Sequence, residues 1–253
     1  MLAAVRPLFR GRGRRPPERI GTTVLLRVGP ARLLLTAAQV IDEFLGPDML
    51  IAGNGALEGI RARGVRRNPP EGRTRDDDPF DVGILRVDDD CPLSVDGDFL
   101  TPAAVGIEEQ FDLDNTYLAL GYPLSKTLVK PAAKIVAPHP IKYVGAPADL
   151  KVYNQLSFHP SSHVILEFDR AHTMTESGIR QVASPKGMSG GGVWWWRNVR
   201  DRYDIPDARL TAILTEHRER HKALIATRVR YHIATIRNQW PDLVPHLEGF
   251  PIP

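Results

Sequence analysis

Short apolar runs separated by turns rich in glycine and proline dominate the chain. The apolar runs 21–28 and 31–35 flank Gly29 and Pro30, and this arrangement predicts a β-hairpin. Asp81 stands at the start of another apolar run, which ends at Val87. Strands are also predicted for the segments 50–52, 59–63, 116–123, 135–144, 164–168, 191–196, 210–215 and 223–229.

The end of the chain has the spacing of a helix. Residues 230–240 place most of their apolar side chains on one helical face, and Pro241 follows directly. Many short strands and a single helix at the end of the chain predict an all-β fold.

The composition favours a globular protein without disulfides. The chain has 253 residues, is 42% apolar, and contains a single cysteine, Cys91, which favours a reducing compartment. The first 20 residues carry arginines but lack the apolar stretch of a secretory signal, and no apolar run approaches the ~18 residues of a membrane span. We therefore expect a cytoplasmic protein with no membrane partner.

Positive charge is concentrated in two clusters, Arg10–Arg19 and Arg61–Arg67, although the formal net charge is only +3. These clusters are not interleaved with aromatic residues, and acidic runs lie near them at 76–78 and 88–90. The pattern predicts solvated loops rather than a nucleic-acid surface, and we expect no nucleic-acid partner.

The segment 187–193, Gly-Met-Ser-Gly-Gly-Gly-Val, carries the strongest chemical signal. Flanking glycines let the backbone turn sharply, so that the Ser189 hydroxyl projects while nearby amides converge on one point. An acyl-transfer site needs both features, an exposed nucleophile and donors for an oxyanion. The same string is also compatible with a glycine-rich β-turn that has no catalytic role.

Segment 187–193 resembles the nucleophile loop of trypsin-like serine proteases, usually G-x-S-G-G-P-V, with Gly192 in place of the proline. The run LTAAQVI at 35–41 is similar to the family's L-T-A-A-H segment, which bears the general base, and FDVGIL at 80–85 resembles the segment bearing the orienting acid. Weaker similarities follow in the family's order, in GYP at 121–123, ILTE at 213–216 and IATRV at 225–229.

The resemblance implies two six-stranded antiparallel Greek-key β-barrels with a short C-terminal helix. The first barrel would span residues 1–112 and the second residues 113–253, with the site in the cleft between them. Members of this family act on peptides or proteins and need no cofactor or metal, and intracellular bacterial members are the most similar. The implied site comprises the nucleophile Ser189, the acid Asp81, the oxyanion-hole amides of Gly187 and Ser189, and the substrate-binding residues Thr215, Glu216 and His217.

The sequence departs from this family at Gln39, which stands where the general-base histidine is expected. A glutamine amide has no useful basicity near neutral pH, so it cannot accept the serine proton. Three interpretations stay open: a pseudoprotease that still binds peptides, a protease that uses another base or a histidine from its substrate, and an altered form of an active enzyme. His217 is the histidine predicted to lie nearest the cleft.

Other residue patterns favour structural roles. The pairs His217/His221 and His159/His163 have a ligand-like spacing of four, but the first is predicted at a strand end and the second in a turn, with no third metal ligand evident. Strand alternation within Trp194–Trp196 predicts that at least one of these tryptophans is buried in the core. The stretch 181–186 contains no acid, so a preference for basic substrate residues is not supported.

Overall fold

The computed structural model describes residues 1–13, 15–44, 48–130, 135–171, 173–175, 178–196 and 208–250. The predicted hairpin around Gly29 forms the centre of a seven-stranded antiparallel sheet, in which Gly29 adopts a left-handed φ of 54°. The strands of this sheet are β1 Val5–Arg12, β2 Arg15–Val28, β3 Ala31–Ala37, β4 Met49–Ala52, β5 Leu57–Gly59, β6 Ala62–Arg66 and β7 Val82–Val87, in the spatial order β5-β4-β1-β2-β3-β7-β6.

A second antiparallel sheet has six strands, in the order β11-β8-β15-β16-β17-β12, and two short ribbons pair β9 with β10 and β13 with β14. The bounds are β8 Thr116–Gly121, β9 Thr127–Lys130, β10 Ile135–Pro138, β11 Ile141–Gly145, β12 His163–Glu167, β13 Thr173–Thr175, β14 Gly178–Arg180, β15 Gly192–Trp196, β16 Ala208–Arg218 and β17 Ala223–Arg228.

Helices are few and short in the described residues. They are α1 Ala38–Asp42, α2 Leu150–Gln155 and α3 Val229–Gln239, the last of which confirms the predicted terminal helix. The 3₁₀ segments are Leu2–Ala4, Arg75–Asp77, Asp96–Asp98, Pro102–Ala104, Leu124–Lys126, Glu219–His221 and Pro241–Leu247. Over these same residues, no helix combines the length and the apolar character needed to cross a lipid bilayer.

The two sheets share a hydrophobic core, and the all-β prediction is confirmed. Leu35 from the first sheet and Ile213 from the second belong to one buried cluster, which α3 joins through Ile233 and Ile236. Trp194 is fully buried in this cluster, as the alternation within Trp194–Trp196 predicts for at least one tryptophan. The two sheets are the half-barrels of a chymotrypsin-like fold.

The prediction that the basic clusters are solvated loops is wrong for most of their residues. Apart from Gly13, which lies in the turn, the described residues of Arg10–Arg19 belong to β1 and β2, Arg14 lies outside the described residues, and Ala62–Arg66 is β6. Arg10 pairs with Glu18 across the β1–β2 ladder at 2.8 Å, and Phe9 beside it is fully buried. Opposite charges on facing positions let a strongly charged stretch form a strand.

Two predicted strands are each divided in the structure. The segment 135–144 forms β10 and β11, because Pro138 and Pro140 lack the N–H that a continuous ladder needs. The segment 59–63 falls across the end of β5 and the start of β6, which pair with different neighbours.

Candidate active site

The loop around Ser189 turns sharply at two glycines. Gly187 has a φ of 91° and Gly190 a φ of 85°, values that favour glycine. The Gly190 amide donates to Leu214 O at 2.7 Å and the Gly191 amide donates to Met188 O at 2.7 Å. These bonds fix the loop so that half-buried Ser189 borders the cleft.

Thr22 of β2 connects this loop to the first sheet. Its amide donates to Ser189 O at 2.8 Å, and its hydroxyl donates to Gly187 O at 3.0 Å. Thr36 of β3 donates in turn to Thr22 O at 2.8 Å. Sequence reasoning missed both threonines, and the available signal was a threonine at the end of the apolar run in each strand of the hairpin.

The Ser189 hydroxyl has two partners. Its Oγ donates to Thr215 O at 3.0 Å and accepts a hydrogen bond from Gln39 Nε2 at 3.2 Å. Gln39 Nε2 also donates to Thr215 O, at 2.6 Å. Neither a peptide carbonyl nor an amide is basic enough to remove the serine proton at neutral pH.

A β-bulge in β16 makes the Thr215 carbonyl available to the site. Leu214 pairs with Ala226 and Glu216 pairs with Ile225, so Thr215 is the extra residue between two paired positions. An extra residue is left out of the ladder, which frees its backbone groups for other partners. The Thr215 carbonyl uses this freedom to accept from both Ser189 and Gln39.

Asp81 lies behind Gln39, at the first turn of α1. Its backbone has a φ of 46°, a left-handed value that aspartate tolerates, and its side chain is buried. Asp81 O accepts from the Ala38 amide at 2.8 Å and Oδ1 accepts from the Gln39 amide at 2.8 Å, so the residue caps the helix. Burial raises the pKa of the Asp81 carboxyl to about 7, although the bond from the Gln39 amide opposes this shift.

Two backbone amides beside Ser189 are available to a ligand. In the described residues, the amides of Gly187 and Ser189 donate to no protein acceptor, whereas the intervening Met188 amide donates to Pro185 O at 2.8 Å. These two donors are two residues apart and border the same cleft. Such a pair can stabilise negative charge on a carbonyl oxygen placed between them.

A cavity of about 350 Å³ lies on one side of Ser189, between the segments 184–189 and 214–217. Glu216 and His217, both predicted to bind substrate, line it together with Thr215. The Glu216 carboxylate is paired with Arg218 at 2.7 Å, and the His217 ring contacts Phe168 edge-on at 5.5 Å. Burial lowers the pKa of His217.

A second cavity, of about 440 Å³, lies on the other side of Ser189. Gln39, Lys186, Gly187 and Ser189 border both cavities. The residues that line only the second are Glu18, Arg19, Ile20, Val40, Glu43 and Leu124. Sequence reasoning also missed Arg19, because its cluster was interpreted as a solvated loop.

No histidine in the described part of the chain reaches Ser189. Among the described residues, no histidine ring lies within hydrogen-bonding distance of Ser189 Oγ. His217 is the last residue but one of β16, His221 lies in a 3₁₀ turn, His159 precedes a turn, and His163 is buried at the start of β12. No group of three or more potential metal ligands occurs in the part of the chain that the structure describes.

No protein-family model and no curated protein sequence matches this chain. Its structure is similar to that of neuropsin, a serine protease expressed in the limbic system of mouse brain, with a TM-score of 0.60. The similarity covers 94% of each chain at 13% sequence identity. At this identity the comparison shows the trypsin-like fold alone.

Proposed function

We propose that this chain is a serine-protease-fold protein whose cleft binds peptide segments and hydrolyses them very slowly or not at all. Ser189 holds the nucleophile position, Asp81 the position of the orienting acid, and Gln39 the position of the general base. The direction of the Ser189 hydrogen bonds carries this proposal. The hydroxyl proton points at the Thr215 carbonyl, and an amide N–H of Gln39 faces the Oγ lone pairs.

The expected loss of rate is large. In subtilisin, which uses the same three-residue chemistry, removing the histidine alone costs on the order of 10⁶ in kcat. The contributions that need no base, binding and oxyanion stabilisation, leave roughly 10³ to 10⁴ over water in such variants. The Gly187 and Ser189 amides and the two cavities supply those contributions here, which favours binding over turnover.

Labelling with a fluorophosphonate probe tests the assignment of Gln39 and Ser189. We expect the wild-type protein to react at least about 10³-fold more slowly than Gln39→His, in which an imidazole can accept the Ser189 proton. The double variant Gln39→His/Ser189→Ala should not react. Gln181→His, which adds a histidine at an exposed glutamine, is the matched control and should react as slowly as the wild type.

Two outcomes would contradict the proposal in different ways. Rapid labelling of the wild-type protein that Ser189→Ala abolishes would show that another base activates the serine. Unchanged slow labelling of a folded Gln39→His variant would show that Gln39 does not hold the base position.

A further inference from the structure

The peptide group that carries the Gly187 amide is held from outside the Ser189 loop. Its carbonyl, Lys186 O, accepts a hydrogen bond from the Leu124 amide at 2.8 Å. Leu124 is the first residue of the 3₁₀ turn Leu124–Lys126, which follows β8. A trans peptide group is planar, so its C=O and N–H point in opposite directions. The bond at Lys186 O therefore directs the Gly187 N–H away from Leu124.

The Ser189 amide is oriented in the same way, but from within the loop. Met188 O accepts from the Gly191 amide at 2.7 Å, and planarity then directs the Ser189 N–H away from Gly191. The Met188 side chain is 3% exposed and packs in a buried cluster of the second sheet, close to Gly121. The peptide group between Met188 and Ser189 is thus fixed at its carbonyl and through the neighbouring side chain.

The Gly187 amide depends on its hydrogen-bonded partner more than the Ser189 amide does. Rotating the peptide group 186–187 by half a turn changes φ at Gly187, and glycine adopts positive and negative φ about equally readily. A serine resists the corresponding change, because positive φ is uncommon for residues with a Cβ atom. Loss of the Leu124 donor would therefore leave a rotated orientation open to the Gly187 N–H.

We propose that Leu124 is a positioning residue whose backbone amide, acting through Lys186 O, directs the Gly187 N–H at an oxyanion. The inference rests on the proposed function, since the oxyanion forms from a carbonyl of the peptide held in the cleft. When both N–H groups are fixed before the ligand arrives, little reorganisation accompanies the development of negative charge. The site therefore binds tetrahedral, anionic adducts of Ser189 more tightly than peptide amides.

Peptide boronic acids measure this preference at equilibrium. Ser189 Oγ forms a bond to boron, the hydroxyl proton is released to water, and the boron becomes tetrahedral and anionic, which boron NMR detects. N-acetylated tripeptides ending in Leu, Lys or Asp are each prepared as the boronic acid and as the amide. We expect the best boronic acid to bind the wild-type protein at least about 100-fold more tightly than its amide, and Ser189→Ala to abolish this advantage.

Leu124→Pro removes the N–H that holds Lys186 O. Proline is tolerated at the first position of a helical turn, where its fixed φ is suitable. The dissociation constant of the boronic acid should rise about 10-fold, while that of the matching amide changes little, because only the charged adduct needs the directed N–H. Leu124→Ala keeps the N–H and should retain more of the boronic-acid preference than Leu124→Pro does.

Leu2→Pro is the matched control. Leu2 is likewise an exposed leucine at the first position of a 3₁₀ turn, and within the described residues its amide donates to no backbone acceptor. This variant should keep the wild-type preference. If Leu124→Pro does not fold, the α-hydroxy analogue of leucine incorporated at position 124 removes the same N–H and keeps the side chain, and the same rise of about 10-fold is expected.

The outcomes separate this inference from the proposed function. An unchanged boronic-acid preference in a folded protein that lacks the Leu124 N–H would overturn the inference. A wild-type protein that binds the amides without preferring the boronic acids would also overturn it and would leave peptide binding intact. Failure of every peptide to bind in either form would overturn the proposed function itself, and with it this inference.

Discussion

Gln39 donates at the point where a general base would have to accept. Its Nε2 points at both Ser189 Oγ and Thr215 O, and these two bonds hold the amide in one orientation. Rotating the amide would bring its oxygen beside Ser189 Oγ but would also direct that oxygen at the Thr215 carbonyl, which has no proton to donate. The hydrogen-bond pattern therefore favours the orientation in which the Gln39 amide donates to Ser189 Oγ.

The buried carboxyl of Asp81 makes the stability of the protein depend on pH. The pKa of its buried carboxyl is raised to about 7, above about 3.9 in an unfolded chain, so the native state binds more protons between these values. The contribution of Asp81 to stability is thus present at low pH and is lost as the pH rises through about 7. Asp81→Asn keeps an oxygen acceptor for the Gln39 amide and carries no charge.

We therefore expect the free energy of unfolding of Asp81→Asn, relative to the wild type, to improve by about 2 kcal/mol between pH 5 and pH 8. Chemical denaturation of both proteins at the two pH values measures this change. Asp114→Asn, which removes a carboxylate from the surface, is the control. An equal difference between Asp81→Asn and wild type at both pH values would contradict the prediction.

At the scale of elements, the Ser189 loop depends on close approach to the hairpin of the first sheet. Thr22 of β2 holds the loop through its hydrogen bonds to Gly187 O and Ser189 O. Gly190 lies directly against Thr22 O and Thr36 Oγ1. A side chain at Gly190 would have to displace backbone, which cannot adjust as a flexible side chain does. The position of Ser189 is therefore determined jointly by the loop that carries it and by the hairpin of the first sheet.

Substituting Gly190 tests this dependence. Gly190→Ala combines a strained φ of 85° with an overlap against Thr22 O, and we expect a loss of about 3 kcal/mol in the free energy of unfolding. Gly97→Ala is the matched control, because a Cβ atom added there would have no neighbour within 4 Å, and its effect should stay within about 0.5 kcal/mol. Equilibrium denaturation compares the two, and similar stabilities would refute the proposed close approach.

At the scale of the whole molecule, two buried histidines join the halves of the fold. His163 of β12 contacts Pro79 O at 2.6 Å, and His232 of α3 contacts Thr36 O at 3.0 Å. Both rings are almost completely buried. Burial lowers the pKa of each to about 4, although the bonds to the carbonyls oppose the shift. Each histidine is therefore neutral in the folded protein at pH 7.

This arrangement predicts a loss of stability in acid. The unfolded chain binds protons on both histidines below about pH 6.5, whereas the native state resists until about pH 4, so stability falls as the pH decreases through this range. We expect each histidine to account for about 2 kcal/mol of destabilisation between pH 7 and pH 5. Protonation of Asp81 stabilises the folded state as the pH falls and so acts against this loss. The effect of the histidines is therefore measured as the difference between histidine variants and the wild type.

The double variant His163→Gln/His232→Gln should be less stable than the wild type at pH 7 but should lose less stability between pH 7 and pH 5. Glutamine keeps an N–H donor near each carbonyl and cannot be protonated in this range. His159→Gln, at an exposed histidine two residues from its Ser161 partner, is the control. A double variant with the same pH dependence as the wild type would show that these histidines do not cause the loss.

The local pattern of apolar residues is sufficient to predict most strands, the terminal helix and the all-β class. Alternation within a strand depends on which residues face the core, and this information is present in each short segment. The pattern failed at β1 and at most of β6, where arginines suggested exposure to solvent. There, ion pairs such as Arg10 with Glu18 neutralise the strand, and a sequence segment read alone does not show its partner.

The sequence by itself therefore determined the kind of fold and singled out Gln39, Asp81 and Ser189 as the candidate site residues. Tertiary structure decided how they meet. Gln39 and Ser189 are 150 residues apart along the chain, and the direction of the hydrogen bond between them depends on a bulge at Thr215. The burial of Arg19 likewise depends on a loop from the other sheet. Hydrogen-bond direction and burial arise from contacts between distant segments, so no local pattern contains them.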